Sequence, residues 1–314
     1  MAWTPADIPD QTGRVAVVSG ANGGLGLETA RALARAGAHV VMVARNLDKA
    51  ADAERDVRDG IPDASLRIVE LDLSSQHSVK RAAVEIRAAH SKIDLLINNA
   101  GVMATPERRT EDGFELQLAT NHLGHFTLTA GLLPALLSAP DSRVVTVTST
   151  ARHMGRPVDP DNPHLEGRYE PWRAYGQSKL ANLHFAIELH RRLEAVGAAT
   201  GSLAAHPGLS NTDLQASSVT NTGGLTQTIA HAAARFTGMS PARGAQPQLR
   251  AATDPSARSG ELYAPRFGNN GRAVRRPLLA RSIRPRDTQL LWDVSERETG
   301  VRFDVAGAVR DATA

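Results

Sequence analysis

The sequence contains no cysteine among its 314 residues. Disulfides, thiolate nucleophiles and cysteine metal sites are therefore excluded, and we expect no bound metal. The first ten residues also lack the basic segment and the apolar segment of a secretory signal. Both absences fit a cytoplasmic protein.

Charged residues are absent between Leu116 and Pro140, a length that could span a bilayer. The stretch nevertheless contains Gln117, Asn121 and Pro134, together with several threonines and glycines. We therefore interpret it as a long buried helix, and we expect no membrane anchor.

The late part of the chain is rich in arginine but has no aromatic residues between the arginines to stack on bases. The formal net charge of the whole chain is only +3. A solvated segment is therefore favoured over a nucleic-acid or phospholipid surface, and no nucleic-acid partner is expected. The arginines are Arg272, Arg275, Arg276, Arg281, Arg284 and Arg286.

Short apolar runs alternate with helical patterns along most of the chain, which predicts an α/β fold. We expect one doubly wound parallel sheet, a Rossmann fold, with about seven strands and helices on both faces. No repeat or linker divides residues 1–314, so we predict a single domain with a core at about 12–265 and a C-terminal extension at 266–314. The predicted strands are 14–19, 39–44, 66–71, 93–97, 143–148, 198–205 and 260–263. The predicted helices are 27–36, 47–58, 79–89, 112–137, 175–195, 225–236, 240–253 and 287–299.

A glycine-rich turn joins the first predicted strand to the first helix. Glycine lets the backbone approach a pyrophosphate closely, and a helix N-terminus supplies N–H donors and a positive dipole. The context therefore favours phosphate binding over a plain turn. The predicted cofactor contacts in the turn are Gly20, Asn22, Gly23, Gly24, Leu25 and Gly26.

Arg45 follows the second strand, at the position that reads the adenosine ribose. An acidic residue there would accept from a free 2′-hydroxyl, whereas arginine favours a 2′-phosphate. NADP (as NADPH) is therefore preferred over NAD, and the alternative is a plain surface charge. Asp72, after the third strand, could accept from the adenine amino group or cap the next helix.

Other chemically useful residues also follow predicted strands, where ligands of such sheets bind. Asn98 to Gly101 would let a flat ring lie close to the sheet, and Ser149 and Pro207 to Thr212 follow later strands. Two segments are interpreted as walls of the site: the proline-containing loop 151–172 and a substrate cover at about 213–238.

Tyr175 and Lys179 lie four residues apart on one predicted helix, so both side chains face the same space. A cation beside a phenol favours its ionised form, which makes a proton donor and acceptor. The alternative is a solvated helix turn. Asn121, near the middle of the uncharged helix, is either structural or part of a polar relay.

These residues together resemble the short-chain dehydrogenase/reductase superfamily over roughly residues 12–265, and within it the retinol-dehydrogenase-like branch. The pieces that carry the resemblance are 19–26, 44–46, Asp72 with Leu73, Asn98 to Gly101, 120–126, Ser149, Tyr175 with 178–182, and His206 to Gly208 with Thr212.

The resemblance implies a role for each site residue. Tyr175 would be the general acid/base, Lys179 would lower its pKa and bind the nicotinamide ribose, and Ser149 would orient the substrate oxygen. Asn121 would hold a water that links Lys179 to solvent. The implied cofactor contacts also include Leu73, Asn98, Ala100, Gly101, Pro207, Gly208 and Thr212.

The sequence departs from the family pattern at two places. Ser19 replaces the usual threonine and keeps the hydroxyl, and the stretch between Ser149 and Tyr175 is longer than is common. That loop, with His153, Met154, Tyr169 and Trp172, would form one wall of the substrate site. The N-terminal apolar helix of membrane-anchored relatives is missing, so a soluble enzyme is expected.

The resemblance implies an NADP(H)-dependent oxidoreductase that interconverts a ketone or aldehyde and an alcohol, on a bulky lipophilic substrate such as a polyketide, steroid or terpenoid. A non-catalytic dinucleotide-binding sensor and a sugar-nucleotide epimerase or dehydratase remain alternatives. Relatives of this kind often form homodimers or homotetramers through the helices that carry Asn121 and Tyr175, although the late arginine-rich segment could cover that surface.

Overall fold

A computed structural model of the chain describes residues 3–209 and 239–313. Its centre is one eight-stranded sheet with the strand order β3-β2-β1-β4-β5-β6-β7-β8. The order reverses between β1 and β4, which is the switch point where ligands of doubly wound sheets bind. The strands are β1 Val15–Ser19, β2 His39–Ala44, β3 Leu66–Glu70, β4 Leu95–Asn98, β5 Arg143–Val147, β6 Gly201–Ala205, β7 Leu262–Pro265 and β8 Ala273–Arg276.

The first seven strands are parallel, which confirms the predicted Rossmann fold. Strands such as β2 and β4 are almost wholly buried because helices cover both faces of the sheet. The eighth strand was not predicted. β8 pairs antiparallel with β7 at the sheet edge, where Arg275 and Arg276 are exposed.

Helices lie on both faces of the sheet. One face carries α1, α2 and α8, whose core residues include Leu33, Val57 and Leu249. The other carries α3, α5, α6, α9 and α10. The helices are α1 Gly24–Arg35, α2 Leu47–Gly60, α3 Gln76–Ala89, α4 Leu116–Leu118, α5 Gly124–Leu137, α6 Pro171–Ala195, α7 Pro241–Gly244, α8 Gln246–Thr253, α9 Pro285–Thr299 and α10 Val305–Thr313.

The C-terminal extension packs onto the helices that carry the predicted catalytic residues. Trp292 of α9 is 2% exposed and lies 5.2 Å from the ring of Phe126 on α5 and 5.9 Å from that of Phe185 on α6. Phe303, before α10, completes the cluster at 4.8 Å from Trp292. Burial of four aromatic rings makes this contact a substantial part of the core.

The helix predicted at 112–137 differs from the observed one. It begins at Leu116, and a π-helical turn, Ala119–Leu123, separates α4 from α5. Asn121 lies inside this turn and not in a regular α-helix. Its side chain hydrogen-bonds the main chain of Val102. Such π-turns are frequent at functional sites. Residues 3–209 and 239–313 contain no helix with the length and apolarity to cross a membrane.

Candidate active site

The glycine-rich turn forms a cradle at the end of β1 that excludes side chains. Gly20 has a φ of +69°, and a Cβ at Gly26 would lie 2.1 Å from the main-chain oxygen of Gly20. A Cβ at Gly20 would in turn meet Ala100 at 3.0 Å. These two glycines are therefore required by the close approach of the turn to the end of β4.

The N-terminus of α1 faces the same edge of the sheet. The helix begins at Gly24, three residues earlier than predicted, and its N-cap Gly23 offers no side-chain acceptor. Within the part of the chain that the structure describes, no acceptor contacts the main-chain N–H groups of residues 24–26. A pyrophosphate would satisfy these donors, so the cradle fits a dinucleotide.

Arg45 lies directly after β2, as predicted, and its side chain is 71% exposed. Its Nη1 atom is 3.7 Å from Oδ2 of Asp72. Asp72 also accepts hydrogen bonds from the main chain and hydroxyl of Ser74, while Ser75 caps α3. The helix cap is therefore Ser75 and not Asp72, and the contact of Asp72 with adenine stays a prediction. Leu73 is buried.

The segment after β4 is tied to β1 through Ser19. The Ser19 hydroxyl accepts hydrogen bonds from the main-chain N–H groups of Asn99 and Ala100, each at 3.0 Å. Asn98 is fully buried and donates to the hydroxyl of Thr129 at 3.0 Å, so its side chain is directed into the protein. Ala100 and Gly101 remain partly accessible at the strand end.

Tyr175 and Ser149 come together at the end of β5. The Ser149 hydroxyl lies close enough to the Tyr175 phenol to lower its pKa, and Tyr175 is 7% exposed. The hydroxyl of Thr148 is occupied by the main-chain oxygen of Lys179 at 2.6 Å, which leaves Ser149 as the partner of Tyr175. Burial raises the pKa of Tyr175 to about 12, although the hydrogen bond to Ser149 lowers it. The expected net lowering of this pKa is therefore wrong, because burial outweighs the effect of Ser149, and Lys179 does not contribute to the shift.

Lys179 lies one helical turn after Tyr175 and is 4% exposed. Its Nζ atom is 5.9 Å from the centre of the Tyr175 ring and donates to the main-chain oxygen of Val147 at 3.3 Å. Burial lowers the pKa of Lys179 to about 8. A Cβ at Gly101 would lie 3.3 Å from Nζ, so Gly101 leaves the ammonium room beside the strand end.

Asn121 is held by four hydrogen bonds. Its amide bonds the main chain of Val102 in both directions, at 2.7 and 2.9 Å, and donates to Ser178 at 2.8 Å. Its main-chain oxygen accepts from Nδ1 of His125 at 2.9 Å. Both N–H donors of the side-chain amide are thus used by the protein, and the predicted water link to Lys179 stays a prediction.

The chain after β6 passes through His206, Pro207 and Gly208. Gly208 has a φ of +77°, and a Cβ there would lie 2.4 Å from the main-chain oxygen of Asn269. This contact fixes the turn against the segment that follows β7. Thr212 and the predicted cover at 213–238, with its helix at 225–236, lie outside the described residues.

Comparison with known proteins agrees with this geometry. The family model described as short chain dehydrogenase matches residues 14–223. The chain belongs to the short-chain dehydrogenase family. This finding confirms the family assigned from the sequence motifs.

Relatives within the short-chain dehydrogenases include retinol dehydrogenase 13 of Homo sapiens, 40% identical over 67% of this chain and 62% of that protein. Polyprenol dehydrogenase of Mus musculus is 42% identical over 68% of this chain and 64% of that protein. The match thus spans less than two thirds of either relative. An uncharacterized protein from Mycobacterium paratuberculosis has a solved structure with 40% identity and a TM-score of 0.79, covering 96% of this chain and 99% of that one.

Several residues around this short-chain dehydrogenase site were not identified from the sequence. Ser178 and His125 hold Asn121, and the ring of Trp172 lies edge-on to Tyr175 at 6.1 Å. Trp172 was predicted only as part of the loop wall. His125 lies four residues after Asn121, a spacing that indicates contact on a helix but not which side chains bond.

Proposed function

We propose that the protein is an NADP(H)-dependent oxidoreductase that interconverts a ketone or aldehyde and the corresponding alcohol. The observation that carries this proposal is the pairing of the Tyr175 phenol with the Ser149 hydroxyl, with Lys179 one turn further along the same helix. The glycine cradle opens at the same edge of the sheet. The family as a whole uses a nicotinamide cofactor.

In the reducing direction, the substrate oxygen would accept hydrogen bonds from the hydroxyls of Tyr175 and Ser149. When bound, the nicotinamide supplies the hydride to the carbonyl carbon in reduction and accepts it in oxidation. As the carbonyl π bond breaks, Tyr175 transfers its proton to the oxygen and becomes a phenolate. Ser149 and the Lys179 ammonium stabilise that phenolate until a proton from solvent replaces the lost one.

The pKa values of the two side chains fit the reducing direction. Burial keeps the pKa of Tyr175 at about 12, so the phenol is protonated at neutral pH and available as an acid. Lys179, with a pKa of about 8, is mostly cationic at neutral pH and can offset the negative charge that forms on Tyr175. The hydroxyls of Tyr175 and Ser149 would also both donate hydrogen bonds to the substrate oxygen, on which negative charge develops in the transition state.

Arg45 supports NADP(H) as the cofactor. Its guanidinium is accessible to a ligand, because the ion pair with Asp72 is long, at 3.7 Å, and the side chain is 71% exposed. A 2′-phosphate offers a guanidinium shorter, charge-assisted hydrogen bonds. Asp72 would then hold Arg45 near the end of β2 and still bind adenine, as the resemblance suggests.

A bulky lipophilic substrate is supported by exposed apolar side chains near the site. Trp172 is 46% exposed beside Tyr175, Met154 is 54% exposed shortly after Ser149, and Leu209 is 39% exposed after Gly208. Exposed apolar surface of this kind often marks a binding site. Two relatives are named for retinol and polyprenol, which are apolar alcohols.

The proposal is tested by NADPH oxidation with a panel of apolar ketones and aldehydes. Tyr175→Phe removes the proton donor, so turnover should fall by roughly 100-fold or more. The affinity for NADPH should change little, because the ring and its contacts remain. Tyr263→Phe is the matched control, since Tyr263 lies on β7, outside the site, and donates its hydroxyl to Glu261 just before that strand.

Full turnover by Tyr175→Phe would refute the mechanism. Binding of NADPH without oxidation by any member of the panel would instead favour the dinucleotide sensor. The two outcomes are distinguishable because the first is a rate and the second a binding equilibrium.

A further inference from the structure

A cavity lies beside the candidate active site, between α6 and the outer strands of the sheet. Its volume is about 210 Å³. Leucines supply much of its wall, and two arginines lie at the same cavity. The lining includes Arg152, Leu183, Leu262, Arg276, Leu278 and Leu279.

Arg152 brings a charge to this cavity, and it has no acidic partner among the residues that the structure describes. Its Nη1 atom donates to the main-chain oxygen of Ser149 at 2.9 Å, and burial lowers the pKa of the guanidinium. Among residues 3–209 and 239–313, no carboxylate lies within ion-pair distance of Arg152. A guanidinium has five N–H donors, and a largely buried charge left unpaired is costly. An anion from outside the chain would remove that cost.

Arg276 adds a second cation at the outer side of the cavity. It ends β8, and its Nη1 atom donates to the main-chain oxygen of Arg266 at 3.2 Å. The preceding residue, Arg275, forms an ion pair with Glu261 at 2.8 Å and does not line the cavity. Successive side chains of a strand point to opposite faces, which explains why only one of the two arginines reaches the cavity.

The rest of the described lining carries no negative charge. Of residues 3–209 and 239–313, none that lines the cavity is acidic. His206 also lines it, but burial lowers the pKa of His206 to about 3, so the ring is neutral. Its Nε2 atom is bonded to the main-chain oxygen of Gly268 at 3.1 Å. The net field inside the cavity is therefore positive, over an apolar wall.

We propose that this cavity binds the anionic end of an apolar small molecule, such as an aliphatic chain that ends in a carboxylate or a phosphate. The guanidinium fork of Arg152 matches either group, and the leucine side chains would contact the chain. Whole-ligand sites usually measure about 300–1,000 Å³, so the cavity suits one end of a molecule. This inference does not rest on the proposed reaction.

The cavity lies next to the proposed catalytic residues. Thr150, which directly follows Ser149, lines the cavity. Arg152 holds the main chain of Ser149, so the same side chain contacts both the proposed anion site and the turn that presents the hydroxyl to Tyr175.

The test is calorimetric titration of the full chain with octanoate, octyl phosphate and octan-1-ol. Octanoate or octyl phosphate should bind at least tenfold more tightly than the neutral alcohol, and the tighter of the two identifies the headgroup. Arg276→Gln should weaken that binding about tenfold, as expected for loss of one charged contact. Arg152→Gln should weaken it at least as much, while its amide can still donate to Ser149.

Arg275→Gln is the control, because it removes the neighbouring exposed charge from the same strand without touching the cavity. The proposal is wrong if octan-1-ol binds as tightly as the anions, if neither anion binds at millimolar concentration, or if Arg275→Gln weakens binding as much as Arg276→Gln. Arg276 is exposed on an edge strand, so the titration of Arg276→Gln remains informative even if Arg152→Gln fails to fold.

Discussion

Replacement of Arg45 by alanine should weaken the preference for NADPH over NADH at little cost to the fold. The ion pair with Asp72 joins side chains that are 71% and 33% exposed, so its loss should cost no more than ~1 kcal/mol of stability. A charge-assisted hydrogen bond to a phosphate is worth about 1.5–3 kcal/mol. After allowance for the lost pairing with Asp72, NADPH should bind about 1–2 kcal/mol more weakly, a factor of roughly 5–30.

The assay is the dissociation constant of NADPH and of NADH for the wild type and for Arg45→Ala. NADH lacks the phosphate, so its affinity should change by less than about twofold. Arg55→Ala is the control, since Arg55 is a similarly exposed arginine on α2 that pairs with Asp52. Added salt should weaken NADPH binding more in the wild type than in the variant. Equal weakening of NADPH and NADH would refute the assignment of Arg45.

Further predictions concern the cradle, the buried lysine and the C-terminal extension. Gly26→Ala should abolish cofactor binding, because the added Cβ would overlap the oxygen of Gly20, whereas Gly60→Ala, with nothing within 4 Å, should bind normally in the same titration. Between pH 8 and 10 the folded chain binds fewer protons at Lys179 than the unfolded chain, so stability should rise with pH; above pH 10 the raised pKa of Tyr175 opposes this rise. The Lys179→Met variant should be inactive. In urea unfolding at pH 7 it should be more stable than the wild type, and its stability should not show the increase with pH that the wild type shows. Trp292→Ala should lower the free energy of unfolding by about 3–5 kcal/mol in the same assay. We also expect no dimer that pairs through α5 and α6, because α9 and α10 cover those helices. A dimer found by light scattering that dissociates when the exposed surface of α5 or α6 is mutated would contradict this expectation.

Most of the sheet could be predicted because its parallel strands are short apolar runs. Val-rich segments such as β2 Val40 to Val43 need burial on both faces, and that pattern is visible in the sequence. The site followed from the same reasoning, since ligands bind where such strands end. Tyr175, Ser149 and Lys179 meet as expected for that topology.

The features that the sequence did not predict depend on contacts between residues that are far apart in the chain. β8 has only four residues and two exposed arginines, so it has no apolar alternation, and it forms because β7 offers an open edge. The π-turn at Asn121 is fixed by hydrogen bonds to Val102, which is distant in the sequence. The predicted direction of the Tyr175 pKa shift was wrong. The spacing of residues in the sequence indicates which side chains are neighbours, but it does not indicate how deeply a side chain is buried.

The position of Trp172 gives the protein a built-in optical probe. The chain has only three tryptophans, and two of them, Trp3 and Trp292, are 8% and 2% exposed. Trp172 is 46% exposed and touches the ring of Tyr175. Its emission should therefore respond to whatever enters the site, over a constant background from the other two. Ligand binding to the unmodified protein can be followed by light alone, without attaching a dye.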